Sequence, residues 1–166
     1  ENNVRDLYRE AVEKVGDDLG KRIFGALGDE EQGHVDYLVS RFDEWERTGK
    51  VASADLATDL PDADTIKAGM KRLDQQMEGK DWTTELALLN RALKAESETG
   101  GFYKRMVAEL DPDGRKLFQR FLEIEDAHYD LVQAEIDGIT NTGFWFDFME
   151  FSLEADTVAG DFLKSF

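Results

Sequence analysis

Ile23-Phe24-Gly25-Ala26-Leu27-Gly28-Asp29-Glu30-Glu31-Gln32-Gly33-His34 places three apolar residues at helical spacing directly ahead of a glutamate and a histidine. Residues three or four apart share one face of a helix. The stripe that begins with Ile23, Phe24 and Leu27 therefore continues as Glu31 and His34, then turns apolar again at Leu38 and Phe42. It ends at Gly49, a suitable C-terminal cap. A helix of about thirty residues with a carboxylate and an imidazole on its apolar stripe is the expectation from which the fold follows.

Working outward, Val4, Tyr8, Ala11, Val12 and Val15 predict a first helix over about residues 1–16, stopped near Gly16-Asp17-Asp18. Residues 50–83 are more polar and contain Pro61. Within them one short amphipathic stretch sets Ile66, Met70, Leu73 and Met77 on one face, which reads as a crossover carrying a small helix. Beyond Asp81-Trp82-Thr83, where Asp or Thr can cap a start, a third long helix runs through Leu86, Leu89, Leu93, Phe102, Met106 and Leu110. Asp111-Pro112-Asp113-Gly114 breaks it. The fourth carries Leu117, Phe118, Phe121, Leu122, Ile124, Leu131, Val132 and Ile136, and should stop near Gly138. Two long helices, a long crossover and two more long helices are one connectivity of an all-α four-helix bundle, here expected over residues 1–138. The tail, 139–166, differs: residues 143–151 hold five aromatics with partial period-two alternation. It is read as a short extended segment serving packing or a subunit interface.

The chain has two histidines, and each follows a glutamate by three: Glu31 with His34, and Glu125 with His128. Glutamate fills 17 of 166 positions, so chance would place both pairs at that spacing about once in a hundred. An internal repeat adds to this. Glu1 stands seven before Tyr8 and Glu96 seven before Tyr103, each pair on one helix face. The two halves keep register, with 30 residues from Glu1 to Glu31 and 29 from Glu96 to Glu125. Each half reads glutamate, tyrosine, turn, Glu-x-x-His, which is a duplicated helix pair.

Two adjacent cations explain these residue types. Carboxylates neutralise and bridge them, while one imidazole per metal fixes geometry and leaves positions open. A purely apolar core would not select such residues, because each ionised carboxylate buried without a cation costs several kcal/mol. Glu1, Glu31, His34, Glu96, Glu125 and His128 are thus the candidate ligands of a di-metal site. Tyr8 and Tyr103, on the inner stripes, are candidates to bond its carboxylates.

Bulk properties narrow the chemistry. At 166 residues, with 41% hydrophobic and 34% charged residues, the chain suits one globular domain. No apolar run reaches the length of a membrane span. A net charge of −17 repels phosphate backbones, so nucleic acid is not an expected partner, and the same field concentrates cations. Without cysteine there is no thiolate-bound zinc and no iron–sulfur or rubredoxin-type centre, so oxygen and nitrogen must hold any metal. A helical pattern already runs at Glu1, as in a chain whose natural beginning lies upstream; the expected location is cytoplasmic.

These motifs resemble the rubrerythrin branch of the ferritin-like family over residues 1–45 and 84–137. Members of that branch supply one glutamate from a first helix and Glu-x-x-His from a second, then repeat the set. The resemblance implies that Glu1 and Glu96 are terminal or bridging carboxylates, with Glu31, His34, Glu125 and His128 completing two metals. It further implies two iron ions as the cofactor. Rubrerythrins carry a cysteine-rich rubredoxin-like domain that this chain lacks, so the electron donor would be a separate, rubredoxin-like protein. They also place a further glutamate where Leu93 stands, and its absence implies a more symmetric site.

The function expected is that of a non-haem di-iron oxidoreductase that reduces hydrogen peroxide or dioxygen as Fe(II) is oxidised. The alternative is a protein that binds and sequesters iron without turnover. Manganese or zinc also suits these ligands. A homodimer is the expected assembly.

Overall fold

The computed structural model describes residues 1–50, 56–73 and 81–148. Helix α1 (Asn2–Lys14) buries Val4, Tyr8 and Ala11 on one face, and the chain turns extended at Val15. Helix α2 (Asp18–Thr48) begins where the Asp17 carboxylate accepts the Leu19 and Gly20 amides at 2.9 and 3.1 Å. It ends at Gly49, whose φ of 69° is a left-handed conformation that glycine adopts without a Cβ penalty. Helix α3 (Ala63–Leu73) follows Asp62, which accepts the Thr65 amide at 2.8 Å. Helix α4 spans Thr83–Glu109 and α5 spans Pro112–Thr142. Asp111 caps the start of α5 by accepting the Gly114 amide, and Pro112 sits in the first turn, where its missing N–H costs nothing.

The fold is all-α, with no strand among the described residues. The short α1–α2 and α4–α5 connections make two helical hairpins. Helix α1 also packs on α4, and the small helix α3 packs on α5. Arg5 and Arg9 on α1 both donate to the Gln32 side-chain oxygen, which pins α1 to the stretch of α2 beside Glu31. No described helix is long and apolar enough to cross a membrane.

The core is split. One apolar cluster gathers Tyr8, Ile23, Phe24, Leu27, Leu89 and Leu131; a second gathers Tyr103, Leu117, Phe121, Leu122 and Ile124. Between the face of Tyr8 and that of Phe121 lie Glu31, His34, Glu96, Glu125 and His128, all buried. The polar residues interrupt the core in the middle of the bundle.

Several sequence expectations need correction. The fourth long helix does not stop near Gly138. It continues to Thr142 and is capped by Gly143 at φ 80°, because Gly138 is a buried interior position whose carbonyl accepts the Thr142 hydroxyl. Phe42, expected on the inner stripe of α2, is 56% exposed and lies against Trp45. With 13 residues α1 is less than half as long as the 31-residue α2, so it covers only the first part of that helix. The start of α4 is not capped by a side chain on its own N-cap residue, Trp82; instead Asp81 binds the Thr83 amide and hydroxyl. On the small helix, Ile66 is buried as the pattern requires, whereas Met77 lies outside the described residues.

The described part of the tail is not a strand. Trp145, Phe146 and Phe148 fold back into the first apolar cluster. Trp145 meets Phe24 and Trp82 edge-on at 5.8 and 6.0 Å. Gly20 makes this possible, since a Cβ there would lie 2.5 Å from the indole ring.

Candidate metal centre

Each half of the bundle brings its residues to one level by local periodicity. On α2 the three-residue step places Glu31 and His34 together, and on α5 it does the same for Glu125 and His128. Glu1, at the N-terminal boundary of α1, and Glu96, in the middle of α4, complete the set. All six predicted residues come together. Glu31, His34, Glu125 and His128 offer ligand atoms within 4.8 Å of one another, a buried group that could hold a metal ion.

Distances show the pairing. Nδ1 of His34 lies 3.5 Å from Glu31, 3.4 Å from Glu125 and 3.6 Å from Glu1. Nδ1 of His128 lies 2.8 Å from Glu31 and 3.9 Å from Glu96. Glu31 therefore faces one imidazole with each of its oxygens, the disposition of a bridging carboxylate. The imidazoles stack with centroids 5.2 Å apart and planes within 6°, and both turn Nδ1 toward the carboxylates.

Proximity here is not hydrogen bonding. Both oxygens of Glu31 and of Glu125, one oxygen each of Glu1 and Glu96, and the ring nitrogens of both histidines are buried without a hydrogen-bond partner. A native interior rarely leaves so many polar atoms unsatisfied. Two donors each about 2.1 Å from one ion at right angles lie about 3 Å apart, which is the scale of the separations found. The donor set, four carboxylates and two imidazoles, fits hard or borderline divalent ions such as iron, manganese or zinc, and the geometry does not select among them.

The tyrosines cross between the halves. Tyr8 of α1 donates its hydroxyl to Glu96 of α4, and Tyr103 of α4 donates to Glu1. In each carboxylate one oxygen is held by a phenol and the other is left facing the cluster. Periodicity predicted that each tyrosine shares a face with the glutamate seven residues before it; the exchange of partners is visible only in three dimensions.

The electrostatics reflects the excess of buried carboxylates. Burial raises the pKa of Glu1, and that of Glu96 well above its ordinary value. Burial also pushes Glu31 up, but the neighbouring His128 and His34 outweigh it and hold Glu31 low. Burial alone would strip the proton from each imidazole. Instead Glu1, Glu125 and Glu31 push His34 up to about 12, and chiefly Glu31 and Glu96 push His128 up to about 9. Both phenols are raised by burial and by the carboxylates they touch. The cluster collects protons because it has excess negative charge in a dry place.

One buried carboxylate escaped the sequence reading. Glu135 on α5 is fully buried, with Oε2 accepting the Phe146 amide at 2.8 Å and Oε1 unpartnered. Burial raises its pKa well above the ordinary value. It stands seven residues after His128 and so on the same helix face; that spacing was the signal available.

No protein-family model, curated protein or solved structure matches this chain.

Proposed function

We propose that the chain is a ferritin-like di-metal protein of the rubrerythrin type, which binds two iron ions and reduces hydrogen peroxide or dioxygen. One observation carries the reading: carboxylate and imidazole atoms from both halves converge, buried and without hydrogen bonds, at separations suited to donors sharing cations. Glu31, Glu125, His34 and His128 would hold the metals, the two imidazoles through Nδ1, with Glu1 and Glu96 adding the remaining carboxylates.

A pair of ferrous ions, when bound, supplies two electrons, which with two protons convert one hydrogen peroxide to two waters. The protein's residues do the rest. Tyr8 and Tyr103 hold one oxygen of Glu96 and of Glu1, so that the other stays aimed at the centre. Phe121, edge-on to His34 at 5.4 Å, helps close the site to bulk water, as do Ile124 and Leu27 in the adjoining apolar clusters. With no cysteine among these 166 residues, the returning electrons come from a donor centre outside them.

The test is anaerobic loading with Fe2+, a count of bound ions, and the near-ultraviolet absorbance change after peroxide or dissolved oxygen. Two irons per chain, oxidised faster by peroxide than by oxygen, are expected. Tight binding with slow oxidation by either would make the protein an iron carrier, and failure to bind two ions would end the di-metal assignment.

A further inference from the structure

We propose that cations reach the centre through the cleft between α4 and α5, and that the glycine pair Gly100-Gly101 is what keeps this passage open. The inference rests on the di-metal reading above. The cleft has a volume of about 230 Å³ and is lined by Glu96, Ser97, Gly100, Gly101, Glu125 and Asp126, among others. Glu96 and Glu125 form its floor. Both are 1% exposed, and Glu96 Oε2 and both Glu125 oxygens lack hydrogen-bond partners. The cleft thus ends against two carboxylates of the centre, and the last step inward is a carboxylate rotation rather than a parting of helices.

The glycines need a reason to be there. Each interior helical glycine costs about 1 kcal/mol relative to alanine. At Gly20 and Gly28 close packing supplies the reason: the Trp145 ring at Gly20, and Tyr8 Cβ at 3.4 Å from a Cβ built on Gly28; Gly25 and Gly33 on α2 meet nothing within 4 Å and are not among the residues lining this cleft. At Gly100 an added Cβ would meet only the Glu125 Cβ, at 3.9 Å, and at Gly101 only the tip of Arg105, also at 3.9 Å. Neither glycine has a positive φ. Packing and backbone geometry therefore tolerate alanine at both. What a longer side chain would do is fill the cleft, since Gly100 lies one turn beyond Glu96 and Gly101 one turn beyond Ser97, and all four line it.

Charge at the mouth sets the traffic. Asp126 attracts a cation there and Lys104, which also lines the cleft, opposes it. A second opening, about 380 Å³, lies toward Glu1, Ala95, Thr99 and Tyr103. It reaches one carboxylate of the centre, and one oxygen of that carboxylate is held by the Tyr103 hydroxyl.

The experiment mixes the full chain with Co2+ in a stopped-flow instrument and follows visible ligand-field absorbance, after equilibrium titration has given stoichiometry and affinity. Gly100→Leu should slow uptake, and chelator-driven release equally, by roughly tenfold or more while stoichiometry and affinity stay put, because a narrowed passage raises the barrier in both directions. Gly100→Ala, which folds without a clash, should slow uptake and release in the same sense by a smaller factor, as a single methyl narrows the passage less. Asp126→Asn should slow uptake and Lys104→Gln speed it, both differences shrinking as salt is raised. Thr99→Leu, which narrows the other opening, should change nothing. If Gly100→Leu fails to fold, Ser97→Phe, at an exposed position, plugs the same cleft and decides the matter. Unchanged rates in the plugged variants, or slowing by Thr99→Leu instead, overturn the route while the di-metal reading stands. A wild type that binds no pair of Co2+ ions overturns both.

Discussion

Glu125 and Glu135 lie ten residues apart on one helix, both fully buried, in opposite chemical circumstances. Glu125 faces the His34 imidazole at 3.4 Å, amid three other carboxylates and a second imidazole. Glu135 accepts one backbone amide, from Phe146 of the aromatic tail, and has Asp147 nearby. The first arrangement gathers several carboxylates around two imidazoles and could hold a metal ion. The second holds one buried carboxyl whose pKa is raised by burial and, to a lesser degree, by the nearby Asp147 carboxylate. Burial of a carboxylate is therefore not in itself the mark of a metal site; convergence of several with imidazoles is.

The largest effect expected separates the two regions outright. His128→Ala or Glu96→Ala should lose one ion or weaken binding by about 100-fold or more, read by anaerobic Fe2+ titration. Glu135→Gln should leave stoichiometry and affinity untouched. A Glu135 variant that loses metal would join the two regions into one site.

On the tail side, Gly20→Ala should destabilise the fold by about 1–3 kcal/mol in urea unfolding, because the new methyl overlaps the Trp145 indole. A neutral result would mean the tail does not rest on α2 in solution.

Glu135→Gln should stabilise the protein at pH 7 by about 1 kcal/mol, since the amide can still accept the Phe146 N–H and is buried without taking up a proton. The sign follows from the raised pKa of Glu135. Its favourable contribution is complete below the ordinary value of 4.5 and is lost as pH climbs through the raised one, a loss glutamine cannot suffer. The metal-free centre behaves in the same sense at higher pH. The contribution of His128 and His34 is complete below 6.5 and fades as pH rises through about 9 and then about 12. Metal-loaded protein should reverse that trend between pH 6.5 and 9, because cations displace the protons. Melting temperatures with and without Mn2+ across this range check it, and parallel curves would argue against cations at the cluster.

A smaller effect on metal binding is expected at the crossed tyrosines. Tyr8→Phe should weaken binding by about tenfold, through a Glu96 carboxylate that is free to turn. Tyr103→Phe should act on Glu1 in the same way. Equal effects would show that the halves remain functionally symmetric.

What the chain determined by itself is whatever one helix can express. The three-residue step from Glu31 to His34 and from Glu125 to His128, the seven-residue step from each outer glutamate to its tyrosine, and the caps at Asp17, Gly49 and Asp111 depend only on local periodicity and backbone stereochemistry. Helix α5 overran the Gly138 boundary for the converse reason: glycine marks a helix end only where the chain needs a left-handed turn, and Gly143 supplied it. The tertiary structure decided which groups meet across helices. Tyr8 takes Glu96 rather than its own neighbour, Glu31 stands between both imidazoles, Trp145 rests on Gly20, and Glu135 is sealed under the tail. Apart from the local step between Glu31 and His34, these contacts join residues 11 to 125 positions apart, and their partners are chosen by the packing of whole helices, which no local spacing records.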